Sequence, residues 1–368
     1  MQITTVGIDL AKTVLQVHGV NERGKAVLRK QLRRKEVLPF FAQLPPCLIG
    51  VEACGSAHYW ARELQALGHT VRLMAPQFVK PYVKTNKNDV ADAAAICEAE
   101  ARPHMRFVPV KDPPRQALLA LHRARQGFIK QRTAQSNQIR GLLAEFGLIL
   151  PQGIGHLFAH LPALLENADN GLPGLLRELL ARLRDHLRLL DQQVAALDGQ
   201  IARWHRDHPA SQRLAGIPGI GPLTASALVS TVGNAREFNS GRQMAAWLGL
   251  VPRQHSTGGK PTLRGISKRG DVYLRTLLIH GARAVLCSVQ RKPEQAPPWL
   301  TRLLARRHPN IAAVALANKM LASPGRCWPM TGALTPTTGR NPCSPKPRCA
   351  NPQSLRQEPA SIAQAIRT

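Results

Sequence analysis

The tightest constraint on the fold is the order of short apolar runs in the first hundred residues. ITTVGIDLA (3–11), VLQVHGV (14–20) and AVLRKQL (26–32) are β-rich and closely spaced, with the turn-like NERGK between the last two. That spacing predicts an antiparallel meander. A helix is predicted over 35–44, a buried strand over 47–54 (CLIGVEAC) and a helix over 56–69 with Ser at its start and Gly at its end. A strand over 70–76 and a helix over 89–101 follow. The order β-β-β-α-β-α-β-α is that of an α/β layer on a mixed sheet.

The pattern then turns helical. Residues 113–147 carry Leu118, Leu121, Phe128, Ile139, Leu142 and Phe146 at helical spacing. Residues 172–206 carry a heptad seam: Leu183, Leu187, Leu190, Val194, Leu197, Ile201 and Trp204. Such a seam serves two helices of one chain or a coiled coil between protomers, and we expect it to help form an oligomer. Residues 212–308 are Gly-rich at first, then basic and helical. The last 47 residues hold 8 of the 29 prolines with little periodicity and read as disordered. The expected organisation is 1–104, a mixed-sheet domain; 105–208, a long helical linker; 209–320, a helical carboxy-terminal domain; and 321–368, a tail.

Charge limits the partners. The chain carries 50 Lys+Arg against 22 Asp+Glu, a formal net charge of +28. An excess of this size points to a polyanion, most simply DNA or RNA phosphates. Residues 1–110 hold 9 acids and 15 basic residues, whereas 242–307 hold 13 basic residues and only Asp271 and Glu294. Aromatics at 4% argue against a surface built on base stacking. The seven cysteines form no CxxC pair and read as reduced thiols. No uninterrupted apolar run spans a bilayer, and the start MQITTVGIDLAKTVLQV lacks the features of a signal peptide. The expectation is a cytoplasmic protein with no membrane partner.

Four acids stand out. Asp9 ends the first strand in GIDLAK, Glu52 lies in GVEACG, and Asp89 and Asp92 open a helix in KNDVADA. A charge inside CLIGVEAC is costly unless paired or metal-bound. Asp89 and Asp92, three apart, share a helix face, although Asp89 also suits a helix cap. Carboxylates from two strands and one helix, gathered at a sheet end, suit Mg²⁺ and phosphodiester chemistry.

A second set lies far along the chain. LAGIPGIGPLTASALVSTVG (214–233) has the turn of a helix-hairpin-helix, with Gly219 and Gly221 flanking Ile220. Such glycines let backbone amides approach a phosphate. WLGLVP then precedes a polar, glycine-rich loop, QHSTGGK, and an amphipathic helix. Arg253, Lys260, Arg264, Lys268, Arg269 and Arg275 are the candidate phosphate contacts there.

Together these motifs resemble the DEDD insertion-sequence transposases, which also include the Piv-type DNA invertases. The resemblance covers roughly residues 3–320. It implies a ribonuclease H-like (RuvC-like) amino-terminal domain whose catalytic, Mg²⁺-binding acids are Asp9, Glu52, Asp89 and Asp92. It implies that Ser256, in PRQHSTGG, is the nucleophile that forms a covalent phosphoserine link to DNA, with Ser267 in GISKRG the competing serine. It further implies a catalytic unit shared by a homodimer, a tetrameric synaptic complex, and target choice by a noncoding bridge RNA. The sequence departs from the family pattern after AAVALANKM (312–320), where LASPGRCWPMTGALTPTTGRNP reads like a reading-frame change. Two competing readings share the same residues: a structure-selective nuclease using water as nucleophile, and a nucleic-acid-binding remnant without activity.

Overall fold

The computed structural model describes residues 2–83, 88–103, 105–233 and 235–322. The expected disordered tail and altered reading frame lie almost wholly outside these residues. The chain divides into two compact units, 1–116 and from 117 onward. The long helices of the expected linker therefore belong with the carboxy-terminal unit.

The first unit runs β1 (Thr5–Leu10), β2 (Val14–Val20), β3 (Ala26–Arg33), α1 (Arg34–Ala42), β4 (Leu48–Glu52), α2 (Ala57–Ala66), β5 (Thr70–Met74), α3 (Pro76–Val79), α4 (Asp89–Glu100) and β6 (Phe107–Val108). Its six strands form one mixed sheet in the order β3-β2-β1-β4-β5-β6. β1, β2 and β3 pair antiparallel, as the meander predicts, while β1, β4 and β5 are parallel. β6 adds an antiparallel edge that the sequence pattern did not suggest.

Alternation along the strands gives the sheet two different faces. Val6, Ile8, Leu15, Val17, Ile49 and Val51 point to one face and pack with Phe41 of α1 and Trp60 and Leu64 of α2. The other face takes α4. Gly7 makes this possible: a Cβ there would lie 2.3 Å from Ala93 O and 2.6 Å from Cys97 N. Helix backbone thus rests directly on strand backbone.

The second unit runs α5 (Pro113–Ala144), α6 (Ile154–Glu166), α7 (Gly174–Arg206), α8 (Pro209–Ala215), α9 (Pro222–Val232), α10 (Gly241–Trp247), β7 (Pro252–Gln254), β8 (Leu263–Ile266), α11 (Val272–Arg291), α12 (Pro298–Leu304) and α13 (Pro309–Ala322). α5 and α7 are antiparallel neighbours, joined by Arg125 to Asp198 and by Arg132 to Asp191. Leu180 and Leu187 of α7 pack with Ile139 and Leu143 of α5 and Leu157 and Leu161 of α6. The heptad seam is thus covered, at least here, by the same chain. Further along, α9, α10, α11 and α13 share a second core built on Leu228, Met244, Leu278 and Ala313.

One helix among the described residues, α11, is long and apolar enough by length and composition to cross a membrane. It is interrupted by Arg275 and Arg283, and its Leu274, Leu278, Ala282 and Leu286 belong to the unit's core.

Candidate nuclease and serine sites

The first site is built by register. β1 and β4 pair in parallel from Thr5 with Leu48 through Ile8 with Val51. The next residues are Asp9 and Glu52, side by side at the carboxyl ends of neighbouring strands about 5 Å apart. Asp9 shares its face with Gly7, and Glu52 with Gly50. A Cβ on Gly50 would lie 3.0 Å from Glu100 Cγ of α4. Both acids are therefore on the α4 face.

Helix α4 runs back along β1. Cys97 Sγ lies 3.8 Å from Thr5 O, and Ala93 lies over Gly7. One further turn towards the helix start leads to Asp89, while the strand advances from Gly7 to Asp9. The steps match: about 6 Å for four helical residues and about 6.6 Å for two strand residues. A second row, Asp92–Ile96–Glu100, begins over Gly50 at Glu100 and ends at Asp92 on the Glu52 side. Asn88, not Asp89, caps the helix, accepting a hydrogen bond from Ala91 N at 2.7 Å. Asp89 is exposed and Asp9, Glu52 and Asp92 are half-buried.

The four acids thus share one end of the sheet. Among the described residues, however, no three His, Cys, Asp or Glu side chains are gathered closely enough to hold a metal ion. Carboxylates repel one another, and these stand near each other without closing into a ligand set. The donor chemistry still fits a hard divalent cation, since every candidate ligand is a carboxylate. The neighbouring thiol does not compete. Desolvation, then the charges of Glu52 and Asp9, push Cys54 above the ordinary thiol range, so it stays protonated and a poor ligand.

The sheet extends the site beyond the predicted acids. Register places Gln16 beside Asp9 and His18 beside Gly7, then Gln31 beside Gln16 and Arg29 beside His18. Gln16 and His18 are buried polar residues in an otherwise apolar strand. That alternation, VLQVHGV, is the signal that could have flagged them. Burial, then the Arg29 charge, hold His18 below its ordinary value, so its ring is neutral at pH 7. Glu100 was also missed. Its side chain is fully buried and pairs with Arg72 at 3.0 Å. Burial pushes its carboxyl up, against the opposing pull of Arg72.

The second site is an ordered hairpin rather than the predicted loop. β7 and β8 pair antiparallel, His255 N donates to Thr262 O, and Lys260 N donates to Thr257 O. Gly258 (φ 54°) and Gly259 (φ 74°) make the two-residue tip, a geometry with both central residues left-handed that glycine allows. Ser256 is exposed just before the tip. Its Oγ accepts from Gln254 Nε2 at 2.8 Å and from Thr262 N at 3.3 Å. Both contacts use the oxygen as acceptor, which leaves the hydroxyl proton available to a base. Ser267, by contrast, has a buried Oγ without a hydrogen-bond partner among the described residues.

The proposed phosphate contacts divide. Arg253, Lys260, Arg264, Lys268 and Arg269 are exposed around the hairpin. Arg275 departs from expectation. It is 8% exposed, and its guanidinium donates to Leu248 O and Arg269 O at 2.9 and 2.7 Å. It ties α11 to the chain before it, a role invisible in a basic amphipathic pattern. Gly219 (φ 89°) also has a packing role, because Gly281 of α11 presses against it and a Cβ on Gly281 would lie 1.9 Å from Gly219 O. Gly221, at the start of α9, has open space around its Cα.

Comparison with known proteins finds two family models that match this chain. A transposase family model of the DEDD type matches residues 6–147. A second model, described as the transposase IS116/IS110/IS902 family, matches residues 211–296. The "probable family 20 transposase" of Pseudomonas aeruginosa is 55% identical over 320 residues, covering 87% of this chain and 95% of that protein. The transposase for insertion sequence element IS1328 of Yersinia enterocolitica is 42% identical, covering 86% and 94%. The pilin gene-inverting protein of Moraxella bovis is 36% identical over 119 residues, or 30% of this chain and 35% of its own. With likeness of this extent across both units, the chain belongs to the IS116/IS110/IS902 family of insertion-sequence transposases.

Proposed function

We propose that this transposase cuts and rejoins DNA through a serine-linked intermediate, with Ser256 as nucleophile and Asp9, Glu52, Asp89 and Asp92 holding Mg²⁺. The observation that carries the reading is the pair Asp9 and Glu52 at adjoining ends of two parallel strands, on the face covered by the start of α4. A divalent cation bound there would stabilise charge on the phosphate oxygens and favour the attacking oxygen.

The chain's own residues supply the rest. Ser256 is exposed, and its Oγ is oriented by Gln254 and the Thr262 amide. As the Oγ–phosphorus bond forms, one bridging phosphorus–oxygen bond breaks. The serine proton goes to a base and the departing DNA oxygen takes up a proton. The phosphodiester is conserved, so the reverse attack by a DNA oxygen reseals a strand without an outside energy source. Exposed Arg253, Lys260, Arg264, Lys268 and Arg269 hold the backbone without reading bases. That division suits sequence choice by a noncoding bridge RNA. Family resemblance supports a homodimer that assembles to a tetramer, with acids and serine supplied by different protomers.

The test is a covalent protein–DNA adduct that survives denaturation. Wild type should form it with Mg²⁺, whereas Ser256→Ala should bind DNA and form none. An adduct lost in Ser267→Ala instead would move the nucleophile. Cleavage without any adduct would hand the chemistry to a water-using nuclease.

A further inference from the structure

Beside the acids lies an open cleft of about 690 Å³. Gln16, His18, Arg29 and Gln31 form its sheet side, and Asn88 and Asp89 open the helix that overhangs it. Three features make it more than a surface groove. It continues the row that starts at Asp9, with Gln16 and then Gln31 on successive strands. Strand spacing puts these about 5 and 10 Å from Asp9, the distance of the nucleotide next to one held at the acids. The neighbouring cross-strand row, Gly7–His18–Arg29, ends in an exposed cation, Arg29. Between them His18, 9% exposed, has a buried Nδ1 with no hydrogen-bond partner among the described residues. A buried polar side chain without a partner is a costly feature that calls for a reason.

We propose that this cleft is a nucleic-acid subsite that seats the phosphodiester flanking the scissile one. Arg29 pairs with the phosphate, and Gln16, His18 and Gln31 hydrogen-bond its sugar and phosphate oxygens. The phosphate sits on the Arg29 side, away from Asp89, so the like charges are kept apart. Neutral amides and an imidazole suit this role, because they offer donors and acceptors without adding charge beside the carboxylates. The inference rests on the proposed function only for where the scissile phosphate lies.

The experiment uses the full chain, without divalent metal, and single-stranded oligonucleotides in which one phosphate at a time is a neutral methylphosphonate. Binding is compared for wild type, Arg29→Gln and Gln31→Ala. Arg29 and Gln31 are exposed, so both variants should fold. Neutralising one particular phosphate should weaken wild-type binding about tenfold, the scale of a charge-assisted hydrogen bond. The same replacement should change Arg29→Gln binding less than twofold, because the partner is already gone. DNA and RNA oligonucleotides are run in parallel, and coupling in only one identifies the strand that occupies the cleft. Equal penalties in wild type and Arg29→Gln at every phosphate would overturn the subsite. Coupling at one phosphate with no adduct in the presence of Mg²⁺ would leave the subsite standing and remove the serine chemistry. An adduct with no coupling would do the reverse.

Discussion

The acids and the serine are held by different means. Asp9 and Glu52 sit on the central strands of a six-stranded sheet, and α4 rests on Gly7 so closely that no side chain fits between. Ser256 sits near the tip of a two-stranded hairpin, exposed and oriented by two hydrogen bonds. Charged groups that must keep fixed spacing gain from a rigid support, whereas a group that is delivered to its target gains from reach. The comparison predicts that damage to the backbone packing under the acids acts through the whole fold, whereas damage to the hairpin backbone around the serine stays local.

The largest effects are expected at the groups proposed to react. Asp9→Asn and Ser256→Ala should each lower adduct formation by about 10³-fold or more with little change in melting temperature. If acids and serine come from different protomers, mixing the two inactive variants restores part of the activity. If one chain supplies both, mixing restores none. Either result sharpens the contrast between the units.

Next come two glycines. Gly7→Ala would drive a Cβ into backbone atoms of Ala93 and Cys97, which cannot yield without lifting α4. A cost of about 3 kcal/mol, visible in thermal unfolding, is expected, with activity lost as well. Gly258→Ala meets no neighbour within 4 Å and pays only for its left-handed φ of 54°, about 1 kcal/mol and confined to the hairpin. A wild-type melting temperature for Gly7→Ala would break the comparison.

A buried network makes the second unit sensitive to acid. His122 Nε2 meets Ser226 Oγ at 3.1 Å, and Nδ1 meets Tyr273 Oη at 3.0 Å. Ser226 gives its own proton to Leu223 O, so Nε2–H donates to Ser226 and Nδ1 accepts from Tyr273. Burial, then the Arg125 charge, push His122 down to about 4. The unfolded ring titrates near 6.5, so the unfolded state binds more protons between these values. Stability from this group is complete above about pH 6.5 and is lost as pH falls towards 4, on the order of 2–3 kcal/mol. Hydrogen exchange in α5, α9 and α11 should quicken over that range in wild type and much less in His122→Gln. Equal acid sensitivity in both proteins would remove His122 as the cause.

Much of the first unit was legible because strand alternation and helix periodicity are local signals. The meander and α4 appear within a few residues of their expected bounds. Of the candidate acids, Glu52 was the most legible, because it stands in an apolar run that would otherwise exclude it. Gln16 and His18 were not legible, since their place beside Asp9 depends on pairing register. α6 was hidden by Pro162 inside it. The hairpin was hidden because RQHSTGGK has turn chemistry without an apolar alternation. Arg275 was misleading, because burial of a guanidinium on backbone carbonyls is decided by tertiary packing, and a basic helix face reads the same either way.

That last point gives the smallest expected effect on binding. Arg253, Lys260 and Arg264 are exposed, so each contact with a phosphate would release condensed counterion. Replacing one by Ala should lower the slope of log affinity against log salt by about 0.9 and leave the stability within about 0.5 kcal/mol of wild type. Arg275→Met should do the opposite. It strips two backbone carbonyls of their donor, which costs about 2–3 kcal/mol, while the salt slope stays unchanged in protein that remains folded. A fall in slope for Arg275→Met would mean that the guanidinium leaves its carbonyls to meet DNA, and that the serine-bearing unit rearranges on binding. An unchanged slope for all three exposed residues would place the DNA backbone on a different face of that unit.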